Sequence, residues 1–335
     1  MKRIKLSFAG LVIDFVDREL AIKRVLDWAE KGTYPVQVVF GPEGCGKTAW
    51  LRQSVSLLRE LGFDVMYIDV IHRYFEASTD VREIVEKLSE ATAESIGVAQ
   101  LRLATLAVDL AKYLIEKRRK KIAVLVDDVF QGIGLDKAAI YVKELLGLIE
   151  YPPKSYDKIV VIVATSEGLS RREIGRHRWA NILPMWNMSR EGFRELYELL
   201  PGEKPSFDDI WRVAGGNPGL LAEFYKAEWS IDRVMDMIIR EKKLREFISS
   251  LSEFERELLS LAIEDPDVLM SREGIPLLRK LVDLNLVVDE LYPRDQWFWV
   301  GEVPPERDLD LGIGRDVAWQ TPLHREAVRR ALRQL

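Results

Sequence analysis

Apolar and polar positions divide roughly the first half of the chain into short apolar runs separated by helical patterns. The apolar runs are residues 36–40, 63–70, 122–126 and 159–164, with a shorter one at 181–185. Because they are rich in β-branched side chains and mostly unbroken by polar residues, they predict strands buried on both faces of a parallel sheet. Apolar residues at helical spacing follow the first run and recur before the third, so the pattern predicts an α/β fold.

Beyond residue 185 the strand pattern stops and helical patterns take over. Helices are predicted at 191–200, 207–213, 218–226 and 231–247. A capping box at Ser252 and Glu255 then starts a further helical region. Residues 286–291 and 297–300 predict a β-hairpin, with a last helix from residue 322. These patterns divide the chain into a core at 1–200, a helical lid at 201–247 and a winged-helix-like domain at 248–335.

The first strand runs directly into a phosphate-binding motif. Its residues fit G-x-x-x-x-G-K-[ST] and are Gly41, Pro42, Glu43, Gly44, Cys45, Gly46, Lys47 and Thr48. The glycines let successive backbone N–H groups point inward, at the positive end of the following helix, where they can bind phosphate oxygens. Lys47 is predicted to reach the outer phosphates, and the Thr48 hydroxyl is predicted to bind Mg²⁺. The motif therefore predicts binding of ATP or ADP with Mg²⁺ in a P-loop NTPase of three-layer α/β architecture.

Two acids end the third strand. Asp127 and Asp128 follow five apolar residues, so their carboxylates should emerge at the carboxyl edge of the sheet, where ligands bind in such folds. Asp127 is predicted to hold Mg²⁺ through water, and Asp128 to orient or activate the attacking water. The alternative is a pair of acids that cap a helix or form a turn. Since many related ATPases carry Glu at the second position, the shorter Asp128 side chain predicts slow hydrolysis.

Hydroxyls and arginines follow the fourth strand. Thr165 or Ser166 could contact the γ-phosphate or the attacking water, although a simple turn at the strand end is the alternative. One of Arg171, Arg172 and Arg176 could complete a neighbouring subunit's site or sense the phosphate in its own. For any particular one of these arginines, a surface charge is the favoured alternative.

Two further segments are candidates for contact with the base. The box at residues 15–19 contains Asp17 and Arg18 and lies just before the phosphate motif, where such a box often wraps the base; an ordinary helix start is the alternative. The turn at 215–219 contains Asn217 and Pro218 and has the form of a lid turn that places proline against adenine. It could also be a plain connection between helices.

Composition narrows the remaining possibilities. No apolar run approaches the roughly 18 to 20 residues that cross a bilayer, and Asp14 interrupts the apolar N-terminal stretch before any small-residue cleavage site, so a cytoplasmic protein is expected. The single cysteine excludes an intrachain disulfide, and the three scattered histidines suggest no metal cluster. The abundance of Glu, Lys and Arg over Asn and Gln is typical of thermophiles.

The net charge of −5 disfavours an obligate nucleic-acid binder. From residue 247 to the end, 17 acidic and 11 basic residues give the tail a balance of −6. This tail therefore lacks the basic face that neutralisation of phosphates requires.

Together, the box at 15–19, the motif at 41–48, the strand ending in Asp127 and Asp128, and the turn at 215–219 resemble the archaeal ATPase family. That family belongs to the STAND branch of the AAA+-related P-loop ATPases. The resemblance implies five parallel strands, with the Thr165 strand between the Asp127 strand and the loop-bearing strand. It also implies a helical lid and an ATP-driven conformational switch. Members usually carry Gly where this chain has Asp17.

Three functions follow as hypotheses. The leading one is an ATP-binding switch with slow Mg²⁺-dependent hydrolysis, in which the lid and tail move and act on a protein partner or on another copy of the chain. The second is a nucleic-acid-handling ATPase, which the winged-helix-like tail favours and the acidic balance opposes. The third is a protein scaffold stabilised by ATP, suggested by the tail tryptophans Trp297, Trp299 and Trp319, which could instead fill a small core.

Overall fold

The chain folds into two compact units in a computed structural model that describes residues 2–79, 86, 96–166 and 174–334. The sheet unit comprises Met1–Ile4, Glu19–Phe40 and Lys47–Pro184. The helical unit comprises Lys5–Arg18, Gly41–Gly46 and Met185–Leu335. The phosphate motif therefore contributes its loop to the helical unit and its final Lys47 and Thr48 to the sheet unit.

The sheet unit is built on a six-stranded sheet with the order β5-β4-β6-β7-β3-β8. The strands are β3 (Val36–Phe40), β4 (Asp64–Asp69), β5 (Tyr74–Ser78), β6 (Lys121–Asp127), β7 (Lys158–Thr165) and β8 (Ala180–Pro184). All neighbours pair in parallel except β4 and β5. The implied position of the Thr165 strand, between the Asp127 strand and the loop-bearing strand, is confirmed. The antiparallel β5 is an addition that the apolar pattern did not predict.

Helices cover both faces of this sheet. They are α1 (Glu19–Lys31), α2 (Lys47–Glu60), α3 (Ile96–Glu116), α4 (Val129–Ile133) and α5 (Leu135–Glu150). Met66, Ile68, Val124 and Val126 share one core cluster with side chains of α3, α4 and α5. Because strand side chains alternate, the intervening residues of β4 and β6 point to the opposite face, against which α2 packs. The unit thus has the three layers that the sequence predicts.

The helical unit contains a hairpin and a set of helices around one core. The hairpin joins β1 (Lys5–Phe8) to β2 (Leu11–Asp14) in an antiparallel pair. The helices are α6 (Arg190–Glu198), α7 (Phe207–Ala214), α8 (Pro218–Lys226), α9 (Ile231–Glu241), α10 (Leu244–Ser249), α11 (Glu253–Glu264), α12 (Ile275–Asp283) and α13 (Pro322–Arg333). The single helix predicted over 231–247 is interrupted between α9 and α10, where Lys243 has a φ of 49° and turns the chain.

The predicted hairpin of 286–291 with 297–300 is wrong. Strand β9 (Val287–Val288) pairs instead with β10 (Ala318–Trp319), and Gln296–Phe298 form a 3₁₀ turn. The Asp295 side chain accepts the Trp297 N–H at 2.8 Å and so favours a turn over a strand. Trp299 is buried, and its Nε1 donates to the Pro293 oxygen at 2.8 Å, whereas Trp297 is 71% exposed.

Across the described ranges, no helix combines the length and the apolar character that crossing a bilayer demands.

Candidate nucleotide site

In the helical unit, the phosphate loop has the backbone that its glycines permit. Gly44 and Gly46 have φ values of 74° and 100°, a region in which residues with a Cβ are strained. The Cys45 N–H donates to the Pro42 oxygen at 3.2 Å and closes a tight turn. The loop is therefore preformed by short-range geometry.

The lid turn contacts this loop through backbone and side-chain groups. The Gly219 N–H donates to the Gly44 oxygen at 2.9 Å, and Asn217 Nδ2 donates to the Glu43 oxygen at 2.8 Å. A Cβ on Gly219 would lie 2.9 Å from the Gly44 Cα, so this approach requires glycine. The side-chain oxygen of Asn217 caps α8, since Oδ1 accepts the Leu220 N–H at 3.0 Å. Asn217, predicted to contact the nucleotide, thus holds the loop and starts the lid helix.

Pro218, the other lid residue predicted to touch the nucleotide, also lies beside the loop. Its Cγ is 3.9 Å from the position that a Cβ on Gly46 would take.

Residues much farther along the sequence also contact this loop, at Glu43. Gln320 Oε1 accepts the Glu43 N–H at 2.8 Å, and Lys242 Nζ lies 2.9 Å from Glu43 Oε2. Asn187 links these groups, because its Nδ2 donates to the Gln320 oxygen at 3.0 Å and its Oδ1 accepts from Asn217 at 2.9 Å. Sequence reasoning missed Gln320, Lys242 and Asn187, since no local pattern marks a contact between residues so far apart in the chain.

Arg18, which precedes the loop in the sequence, also contacts the loop. It is 3% exposed, and its guanidinium donates to the backbone oxygens of Trp186, at 2.9 Å, and of Cys45. Burial lowers the pKa of Arg18, while the neighbouring Cys45 and Asp17 oppose that effect. These contacts use the arginine to fix backbone, and its predicted contact with a base stays a prediction.

Asp17 occupies a backbone position of the kind that glycine usually fills. Its φ is 58°, a value that suits the glycine that the family resemblance implies at this position and that aspartate tolerates better than most residues. Its carboxylate packs against Gly192, where a Cβ would overlap it. The departure from the family pattern at Asp17 is thus accommodated by a glycine on α6.

His324 is buried near the same contacts. Its Nδ1 lies 2.7 Å from Thr321 Oγ1. Burial and then Lys242 lower the pKa of His324 to about 4, against the opposing effect of Glu43. The imidazole is therefore neutral near pH 7, which suits its enclosed position.

In the sheet unit, the predicted metal-binding residues are brought together. Thr48, in the first turn of α2, hydrogen-bonds the carboxylate of Asp127, which is 1% exposed at the end of β6. Tyr67 also donates to Asp127 Oδ2, at 3.1 Å. Burial and then Asp128 raise the pKa of Asp127 to about 7, against the effect of these hydrogen bonds. A hydroxyl beside a buried carboxylate is an oxygen donor set that fits Mg²⁺.

Lys47 is predicted to contact phosphate and Asp128 to contact the attacking water, and these residues lie at the start of α2 and directly after β6. Lys47 starts α2 and is 5% exposed. Asp128 follows β6 with a φ of 47°, and its N–H donates to the Ala164 oxygen at 3.1 Å. Within the described part of the chain, its side chain makes no capping hydrogen bond to α4, so the geometry does not favour the capping interpretation.

The predicted sensor residues are only partly described. Thr165 is the fully buried last residue of β7 and pairs with Phe40 of β3, and Ser166 directly follows it. Arg176 is exposed, while Arg171 and Arg172 lie outside the described residues.

A known protein family and several solved structures resemble this chain. A profile of the ATPase domain predominantly from Archaea matches residues 15–224. No curated protein sequence matches the chain significantly. The Walker-type ATPase PABY2304 of Pyrococcus abyssi is a similar solved structure, with 14% identity, a TM-score of 0.51, and coverage of 94% of this chain and 96% of that one. This likeness shows the fold alone and confirms the predicted P-loop NTPase class.

Two other solved structures are also similar, more weakly. Aeropyrum pernix ORC1, solved in complex with DNA, has 16% identity and a TM-score of 0.39 over 96% of this chain and 93% of that one. Aquifex aeolicus DnaA, solved with AMPPCP, has 15% identity and a TM-score of 0.39 over 80% and 78%. Scores this low carry no functional argument.

Proposed function

Because this chain belongs to the family of ATPase domains found predominantly in Archaea, we propose that it is an ATP-binding switch with slow Mg²⁺-dependent hydrolysis. In this proposal, the lid and tail rearrange with the state of the nucleotide. That rearrangement regulates a protein partner, or another copy of this chain, in the cytosol. We further propose that the chain belongs to the STAND branch, with the core at 1–200, the lid at 201–247 and a winged-helix-like tail at 248–335.

One observation carries the switch: a single residue of the phosphate loop is hydrogen-bonded from three other parts of the helical unit. The backbone N–H, backbone oxygen and carboxylate of Glu43 contact Gln320, Asn217 and Lys242 respectively. A phosphate that reorients the loop backbone must change the geometry of these hydrogen bonds, and such bonds require distances of about 2.7–3.2 Å and near-linear angles. Binding energy at the loop can therefore be transferred to the lid and tail.

The chemistry of the proposal rests on a few side chains. Lys47 binds the outer phosphates, and Thr48 and Asp127 hold Mg²⁺, which when bound neutralises charge on the phosphate oxygens. Asp128 orients the attacking water, and Thr165 or Ser166 senses the γ-phosphate. The shorter reach of Asp128 compared with Glu is the reason for proposing slow turnover.

The tail supports a winged-helix-like fold with a different wing from the one that the sequence pattern predicted. Helices α11 and α12 precede β9, and β10 precedes α13. Arginines of α13 are engaged with carboxylates, as Arg329 is with Glu264 at 3.0 Å and Arg330 is with Asp232 at 2.8 Å. These pairs and the acidic balance of the tail weigh against a DNA-directed activity.

The scaffold alternative has one remaining support. Of the three tail tryptophans, Trp299 and Trp319 fill the core, and Trp297 is the exposed one. A single exposed tryptophan is a narrow basis for a binding surface.

ATP turnover with Mg²⁺, measured with and without duplex DNA, tests the proposal. We expect turnover below about 1 s⁻¹, at the low end of enzyme rates, and unchanged by DNA. Asp128→Asn should reduce it by about 100-fold or more, because the variant loses a general base. Asp157→Asn, at a 61% exposed carboxylate, is the matched control and should leave it unchanged.

The other outcomes distinguish the alternatives. Strong stimulation by DNA would replace the switch with a nucleic-acid-handling ATPase. Tightly held ATP without turnover would favour the scaffold.

A further inference from the structure

One face of α2 makes two separate links to the strand that carries the metal-binding carboxylate. Thr48 and Arg52 are four residues apart, so their side chains lie on the same face one turn from each other. The Thr48 hydroxyl contacts Asp127 directly. Arg52 instead hydrogen-bonds the Tyr67 oxygen and stands 6.0 Å from the centre of that ring.

Tyr67 completes the second link. In the β4–β6 register Tyr67 is opposite Leu125 and Asp69 is opposite Asp127, so Tyr67 reaches Asp127 diagonally on the same face of the sheet. Its hydroxyl donates to Asp127 Oδ2 at 3.1 Å.

This arrangement fixes a group whose orientation matters. A buried carboxylate with one donor can still rotate, whereas donors on two sides hold its plane and leave its remaining lone pairs in a set direction. Arg52 holds Tyr67 in turn, since the guanidinium also stands 5.3 Å from the centre of the Tyr74 ring and is confined there. A tyrosine with only a packing role would need neither the hydrogen bond to Asp127 nor the one from Arg52.

We propose that Arg52 and Tyr67 act together as positioning residues that orient the Asp127 carboxylate toward Mg²⁺. This inference rests on the proposed function, because it concerns the metal that accompanies ATP. It adds two residues from β4 and α2 that the phosphate motif and the acid-ended strand do not include.

The test is the effect of Mg²⁺ on ATP affinity, measured by calorimetry on the full chain for wild type and Tyr67→Phe. We expect ATP affinity without metal to agree within about twofold between the two proteins. The strengthening that Mg²⁺ provides should be about 10-fold smaller in Tyr67→Phe, as for other residues that orient metal ligands. A residue with only a packing role would not separate the two affinities.

Two further variants control for side-chain loss. Tyr141→Phe removes the hydroxyl of another tyrosine that is 4% exposed, and this hydroxyl has no hydrogen-bond partner among the described residues. It should behave as wild type. Arg52→Met should reduce the Mg²⁺ effect in the same direction as Tyr67→Phe, and Arg52→Gln, which keeps an N–H donor, should restore part of it.

A Mg²⁺ effect in Tyr67→Phe within twofold of wild type would overturn the positioning role and leave the ATPase function standing. Wild-type protein that binds no ATP, or that binds it equally with and without Mg²⁺, would overturn the proposed function and this inference with it.

Discussion

The residues assigned to phosphate and metal chemistry differ from the residues around the loop in how the chain brings them together. In the sheet unit, Thr48 and Asp127 each belong to a short motif at the end of a strand or the start of a helix. In the helical unit, the partners of Glu43 are 174, 199 and 277 residues away in the sequence. The comparison teaches that the chemistry is encoded locally, whereas the proposed coupling depends on long-range contacts. Substitutions in the two groups should therefore have separable effects.

The largest effect is expected at Lys47. Lys47→Ala removes the charged donor to the outer phosphates and should weaken ATP binding by about 100-fold or more, in line with the loss of a charge partner in an enclosed site. Lys31→Ala, at the exposed end of α1, is the control and should bind ATP normally. Equilibrium binding of ATP measures both. Unchanged affinity in Lys47→Ala would contradict the assignment of the phosphate site.

The next effect is on acid stability and belongs to the helical unit. His324 is buried and neutral with a pKa of about 4, below the ordinary 6.5, so its contribution to stability is complete above pH 6.5 and is lost as pH falls through 4. Between these values the unfolding free energy of wild type should fall by up to about 3 kcal/mol more than that of His324→Gln. Urea unfolding from pH 7 to pH 4 measures the difference.

His177→Gln, at an exposed histidine of the sheet unit, is the control for this comparison. Parallel pH profiles for wild type and His324→Gln would show that the imidazole is not held neutral by its surroundings.

Two glycine-to-alanine substitutions compare a glycine that is closely packed against the loop with a glycine that has no neighbour near the new Cβ. Gly219→Ala places a Cβ 2.9 Å from the Gly44 Cα and should lower the unfolding free energy by about 1–2 kcal/mol, as overpacking does. Gly147→Ala lies inside α5 with nothing within 4 Å of the new Cβ, and it should raise the unfolding free energy by about 0.5–1 kcal/mol. Chemical denaturation of both variants measures the contrast. Equal changes in the unfolding free energy of the two variants would mean that Gly219 is not in close contact with the loop.

The smallest effect is expected at the tail contact. Gln320→Ala leaves the Glu43 N–H without its 2.8 Å acceptor and should lower the unfolding free energy by about 1 kcal/mol. Gln334→Ala, at an exposed glutamine near the end of α13, should change it by less than about 0.5 kcal/mol. Urea midpoints provide the measurement. No difference between these variants would mean that water replaces Gln320 at no cost.

Sequence patterns were sufficient for the features that a few neighbouring residues determine. The buried strands were predictable because successive residues such as Val124 and Leu125, which point to opposite faces of the sheet, are both apolar, and the implied strand order placed Thr165 correctly. The edge strand β5 was missed because Tyr74–Ser78 are only half-buried and carry no continuous apolar run. The break at Lys243 was missed because the amphipathic pattern continues through it.

The rest could not be predicted because the signals are absent or ambiguous at short range. The run 297–300 has the composition of a strand, but the Asp295 side chain makes a turn more favourable there. Gln320 and Lys242 look like ordinary polar residues in the sequence, and their meeting at Glu43 depends on packing of the whole helical unit. Tyr67 reads as a buried strand residue, and its link to Asp127 depends on the register of β4 against β6.

The most direct test of the coupling is hydrogen exchange of residues 217–220 and 318–324 with and without ATP and Mg²⁺. These segments hold the lid and tail groups that contact Glu43. If the loop transmits the state of the nucleotide, ATP should change exchange in both segments several-fold, together with protection of residues 41–48. Protection of residues 41–48 with unchanged exchange in both segments would contradict the switch and leave an ATPase whose lid and tail do not respond to nucleotide.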